Sequence, residues 1–262
     1  MISWKKAVSG VAGLATLGAV LSGPAVAQSA SDWTISYNFA VTSDYVFRGV
    51  SQSAENPTIQ AGADIGYKIF YVGVWGSGVD FGKTATNKDI AWGEIDIYAG
   101  IKPVVGPVTF DFGVIYYTYP NNHSGPELNY VELKAGASGT IWRDGTLSGT
   151  IFWSPDYTGE TGNVWTFEGT FAQALPKFRD ITPTFSATLG YQLGDSNSYT
   201  SVIANGDDSY LYWNAGLTLG FHERFSVDFR YWDSNISDSG GFCTGKVLQC
   251  DERFVATAKV TY

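Results

Sequence analysis

Apolar and polar residues take turns along most of this chain, and the pattern is cleanest at its end. Phe254, Ala256, Ala258, Val260 and Tyr262 share one parity, while Val255, Thr257, Lys259 and Thr261 share the other. A period of two residues predicts a strand with one greasy and one mostly polar face. The same alternation recurs over 35–48, 58–67, 90–101, 108–119, 128–138, 146–154, 164–174, 184–193 and 210–221, and again through Phe225, Val227, Phe229 and Tyr231. The stretch 70–81 is also a strand by composition, but its facing is ambiguous.

These segments amount to about twelve strands of roughly ten residues, the length a tilted strand needs to cross a hydrocarbon core. Their connections alternate in length. Turns such as the one at Arg143-Asp144-Gly145 are tight, whereas 194–209 and 234–250 are long and polar. A soluble sandwich gives no reason for long and short connections to segregate. The pattern predicts an all-β fold, a transmembrane antiparallel up-and-down β-barrel with short periplasmic turns and longer outer loops. In lipid the last strand must pair with the first, because an open edge would leave bare peptide groups. The terminal Tyr262 resembles the C-terminal signal of outer-membrane barrels, which implies the barrel-assembly machinery as a partner of that strand.

The N-terminal segment changes the picture of where the chain goes. Lys5 and Lys6 precede an apolar run over 7–21, followed by Gly23-Pro24 and Ala25-Val26-Ala27. That three-part layout predicts a cleaved signal peptide, residues 1–27, leaving 28–262 as the barrel. The run is shorter than the roughly 20 residues of a spanning helix. Export makes a local disulfide between Cys243 and Cys250 the default, and a bridge closing so short a loop contributes roughly 2.5 kcal/mol.

Composition agrees with a barrel in lipid. Aromatic residues make up 16% of the 262, including 9 Trp and 16 Tyr, enough for two interfacial girdles. Acids outnumber bases 25 to 16. No basic patch is present that could neutralise several phosphates, which argues against nucleic acid as a partner. Lipid and small polar solutes or ions are the partners expected; no cofactor is implied.

The alternation also nominates lumen residues. Asp64, Glu94, Asp96, Asp111 and Glu132 would form an acidic wall, and Arg48, Arg224, Arg230 and Lys259 a basic one. Opposed walls would set up a transverse field acting on passing solutes. The plainer alternative is that these charges pair across a narrow lumen and fill it. Lys134, Asp44 and Asp228 fall on the wrong walls for the field. Asp44 and Arg48, four apart on one face, suggest an ion pair pinning the first outer loop, with a gate or loop latch built on Arg48 as the alternative, and Tyr45 and Phe47 facing lipid.

An enzyme is the rival class. Only His123, beside Ser124, and His222 could serve a Ser–His site, and no orienting carboxylate is evident. The stretch 233–238 begins like a calcium loop, but Asp238 stands where Gly is needed and Thr244 where Glu is needed. Neither motif changes the expectation of a non-enzymatic channel for passive diffusion of small hydrophilic solutes, with a plugged receptor-like barrel as the alternative.

Several stretches carry a family likeness. Ser43-Asp44-Tyr45-Val46-Phe47-Arg48-Gly49-Val50-Ser51-Gln52, Gly73-Val74-Trp75-Gly76-Ser77, Glu94-Ile95-Asp96-Ile97-Tyr98-Ala99-Gly100 and Asp111-Phe112-Gly113-Val114-Ile115-Tyr116-Tyr117 resemble the TorF family of porin-like proteins of Gram-negative bacteria. The resemblance implies an outer-membrane barrel. It identifies no solute.

Overall fold

A computed structural model describes residues 32–123, 125, 127–195, 199, 204, 207–236, 243 and 249–262. The expected signal peptide, Ser124, and Ser237, Asp238 and Thr244 of the calcium-like stretch lie outside the described residues. Twelve long strands form the wall: β1 (Trp33–Thr42), β4 (Thr58–Tyr67), β5 (Phe70–Gly78), β6 (Gly93–Ile101), β8 (Val108–Thr118), β9 (Tyr130–Trp142), β10 (Gly145–Ser154), β11 (Val164–Ala174), β12 (Ile181–Gly194), β13 (Ser209–Phe221), β14 (Phe225–Ser234) and β15 (Arg253–Thr261). Three two-residue strands, β2 (Val46–Phe47), β3 (Val50–Ser51) and β7 (Val104–Val105), complete the set.

Each wall strand pairs antiparallel with its neighbours in sequence, and β1 pairs with β15, so the sheet closes on itself. Tyr37 and Tyr262 seal that seam. Each donates its backbone N–H to the other's carbonyl, at 3.0 and 2.9 Å, and their rings stack at 5.6 Å. Closure follows from the solvent: with no water in the hydrocarbon, only an edgeless sheet satisfies every peptide group.

The barrel is apolar outside. Ile35, Tyr37, Phe39 and Val41 of β1, and Val72 and Val74 of β5, project outward and exposed, which settles the facing of the ambiguous segment. Rings mark both rims. Trp33, Trp142, Phe178, Phe225 and Tyr262 circle the end with short turns, and Tyr116, Trp165, Trp213 and Phe254 circle the end with long loops. Such belts sit at the two interfaces of a bilayer. The connection after β11 is shorter than its sequence suggests, because β12 starts at Ile181 and carries Pro183 within it.

One segment departs from the alternation reading. The run over 35–48 does not continue as a single strand: β1 stops at Thr42, and residues 43–53 fold back into the barrel mouth as the hairpin β2–β3. Arg48 and Gly49 both take positive φ, 51° and 82°, to make the turn. A Cβ on Gly49 would lie 2.8 Å from the Tyr212 Cβ, so only glycine fits at this bend. Tyr45 and Phe47 are therefore buried inside rather than facing lipid. A hairpin strand alternates like a wall strand, which is why periodicity alone did not separate them.

Candidate functional site: the lumen

The lumen divides into a dry half near the long loops and a wetter half near the short turns. In the dry half, inward side chains from nearly every wall strand are buried. They include Thr42, Trp75, Asp96, Tyr117, Glu132, Phe152, Thr166, Gln192, Tyr212, Trp232 and Val255. Asp96, Phe152, Thr166 and Gln192 have no exposed surface at all. Packed rings carry this layer. Tyr117 stacks on Tyr130 at 4.3 Å, Tyr130 packs on Tyr157 at 4.6 Å, and Phe47 of the hairpin reaches Tyr117 at 6.0 Å.

Arg48 is the pin that holds the hairpin there. Its guanidinium donates two bonds to Glu132, at 2.7 and 2.9 Å, and a third to the Tyr157 hydroxyl at 3.3 Å. It lies between the rings of Phe47 and Phe152, at 4.6 and 4.9 Å. Tyr117 donates to the same Glu132 at 2.9 Å. A forked charge-assisted pair of this kind fixes both position and orientation. Asp44 anchors the other leg: it accepts from Ser51 and Ser53 and pairs with Arg253 at 3.2 Å. The expected Asp44–Arg48 pair is not formed, because the turn sends the two side chains to different partners.

The remaining nominated residues sort by depth. Glu94 and Asp96 face inward in the dry half, where Glu94 accepts from Tyr45 at 2.7 Å and Asp96 has no hydrogen-bond partner among the described residues. Asp64 and Asp111 face inward lower down. Asp64 accepts from Tyr98 at 2.7 Å, and Asp111 accepts from Tyr71 at 2.8 Å and pairs with Lys134 at 2.9 Å and Lys102 at 3.8 Å. Lys102, in the turn after β6, is pushed below the ordinary lysine range by burial; Asp111 opposes that shift and Lys134 adds to it.

Arg230 points inward from β14 and spends its guanidinium on Asp228, Asn214 and Ser186. Lys259 faces the lumen from β15. Arg224 does not line the lumen: it is exposed in a short turn, 5.1 Å over the Tyr262 ring, since the strand it was assigned to begins one residue later. Of the direct ion pairs only Arg48 to Glu132 joins the two expected walls; Lys134 to Asp111 and Arg230 to Asp228 pair charges within one wall.

Sequence reasoning missed several members of the site. Glu168 accepts from Tyr212, Gln192 bonds both Thr166 and Tyr157, and Arg253 closes on Asp44. Glu168 and Gln192 had the right parity to be found; Arg253, at the very start of its strand, did not stand out from a loop residue. Cys243 and Cys250 are joined in a disulfide with Cα atoms 5.6 Å apart, and Cys250 accepts a bond from Ser234 at 2.9 Å. His123 is exposed with its ring against the Asp89 carbonyl, and His222 is exposed in the turn after β13.

Below the hairpin, beside β1, β14 and β15, lies a small cavity open to solvent. Asn38, Thr42, Asp44, Tyr45, Gln60 and Lys259 are among its lining residues.

A closed twelve-strand antiparallel barrel, apolar outside and polar inside, with aromatic belts at both rims, defines an outer-membrane porin-like fold. The sequence profile of the family described as "Bacterial protein of unknown function (Gcw_chp)" matches residues 26–262, and the chain belongs to that family. Solved structures share the architecture at low identity. The NanC porin superposes with a TM-score of 0.54 at 10% identity, covering 87% of this chain and 99% of that one. The KdgM porin gives 0.50 at 10% identity, covering 87% and 97%. No curated protein matches the sequence.

Proposed function

We propose that this protein is an outer-membrane channel for passive diffusion of small hydrophilic solutes or ions, shut in the present conformation by its own first loop. One observation carries the reading: the barrel mouth is filled by a hairpin that is not part of the wall, pinned through Arg48 and Asp44 and by a few backbone bonds to neighbouring loops. The wall behind it mixes rings with polar groups such as Asp96, Glu132, Thr166 and Gln192, and the inward side chains of the other half are partly exposed. Displacing residues 44–53 would leave the β1–β15 pairing of the wall in place and break the backbone bonds from Ser51 to Gln249 and from Asp80 to Gln52. The long loops then face the exterior and the short turns the periplasm, as the resemblance to TorF-type proteins and the porin-like fold both suggest. On this reading the C-terminal strand is what the assembly machinery engages, and no catalytic step is assigned.

Purified protein in a planar bilayer tests it. Stepwise currents are expected, rare in the native chain and frequent in R48A, where the pin is removed. The second reading is a permanently plugged structural or receptor barrel, which the dry half favours. It replaces the first if native protein, R48A and E132Q all fold and none conducts.

A further inference from the structure

Among the described residues, every inward-facing cation except one has a carboxylate within 4.0 Å. Arg48 has Glu132, Lys102 and Lys134 share Asp111, Arg230 has Asp228, and Arg253 has Asp44. Lys259 has no ion pair and no hydrogen bond among the described residues, although it lies in the cavity below the hairpin. The lumen carboxylate Asp64 is already bonded to Tyr98.

The register explains why this ammonium meets open space. Ala40 sits directly between Lys259 on one side and Gln60 on the other, so a methyl group separates two long polar side chains. Asn38 lies one inward position nearer the rim of the same strand. Like Lys259, Asn38 and Gln60 line the cavity with no hydrogen bond among the described residues. Arg230, in the same cavity, is different: its donors are consumed by Asp228, Asn214 and Ser186. Thr42 and Thr257 also satisfy one another, at 2.8 Å. What the cavity offers a ligand is one unpaired positive charge and two uncommitted carboxamides.

We propose that this cavity is a binding subsite for a small, singly charged organic anion that carries hydroxyl groups beside its carboxylate. The carboxylate sits on Lys259, where a charge-assisted bond in a partly desolvated place is stronger than in bulk water. The hydroxyls meet Asn38 and Gln60, whose amides both donate and accept. A doubly charged anion is disfavoured because Lys259 is the one cation of the cavity without an ion pair among the described residues. The proposal rests on the channel reading for the route by which the solute arrives, but binding itself needs only the water-accessible half.

The test is a calorimetric titration of the full mature chain in detergent, with sodium gluconate against glucitol, the uncharged compound of matching skeleton. Quenching of Trp75 and Trp232, which line the cavity, gives a second readout. Saturable gluconate binding is expected, about tenfold or more tighter than glucitol, with K259Q losing about tenfold or more, the size of one charge-assisted contact. K259R should retain binding, and N38A combined with Q60A should weaken it while leaving the preference for charge. Equal binding of gluconate and glucitol, or of gluconate by native protein and K259Q, overturns the site. If K259Q fails to fold, K259R and the N38A/Q60A pair decide the question. Absence of current in a bilayer leaves this equilibrium unaffected, while a conducting barrel that binds no gluconate removes the site alone.

Discussion

Asp96, Thr166 and Gln192 face the lumen and touch no water, whereas Asn38, Asp64 and Lys259 face the same lumen from the same kind of strand and remain partly exposed. The wall pattern is identical at the two depths, so burial here is decided by what enters the barrel. Near the long loops the hairpin brings Tyr45, Phe47, Arg48 and Val50 into a ring of tyrosines, and polar side chains become core. Near the short turns no described residue enters the lumen, and the same residue types stay partly exposed. Burial raises the stakes of each contact. A pair in the dry half loses both its partner and its solvent when one member is removed.

The largest effect therefore falls at the pin. R48A should cost about 3–5 kcal/mol, because it leaves Glu132 buried without its cation. Denaturant midpoints in micelles would fall, and a comparable loss in E132Q, which leaves Arg48 buried without its counter-ion, would show that the charge pair is what matters. If R48A unfolds no earlier than native protein, the dry half is not held by this pair.

Next comes the disulfide that caps the dry half from the last long loop. Reduction, or C243S with C250S, should lower stability by about 2.5 kcal/mol by the loop-closure argument, read from melting with and without reductant. G49A follows, at about 1–3 kcal/mol, from a side chain placed at positive φ and against Tyr212. Its signature is a rise in open-channel time, since the strain lies in the hairpin and not in the wall. Y262A should lose about 0.5–1.5 kcal/mol of ring stacking at the seam, seen as faster unfolding of the β1–β15 pair by hydrogen exchange.

The smallest effect is expected in the wet half. K259Q should change stability by no more than about 0.5 kcal/mol, because Lys259 has no internal partner to abandon. A large loss there would show that the two halves differ less than their exposure implies.

Alternation alone determined a great deal. It placed the wall strands, assigned inward and outward faces on nearly all of them, required the seam at Tyr37 and Tyr262, and put Asp64, Glu94, Asp96, Asp111 and Glu132 inside. It could do so because a closed sheet in lipid has two solvents, one for each parity, and parity is written residue by residue. It could not tell the hairpin over 43–53 from the end of β1, since both alternate. Only the tertiary structure decided that Arg48 crosses to Glu132, that Asp44 turns to Arg253, and that Lys259 is left unpaired. Those outcomes depend on which side chains meet across the lumen from strands far apart in sequence, and a two-residue period carries no information about what lies on the opposite side.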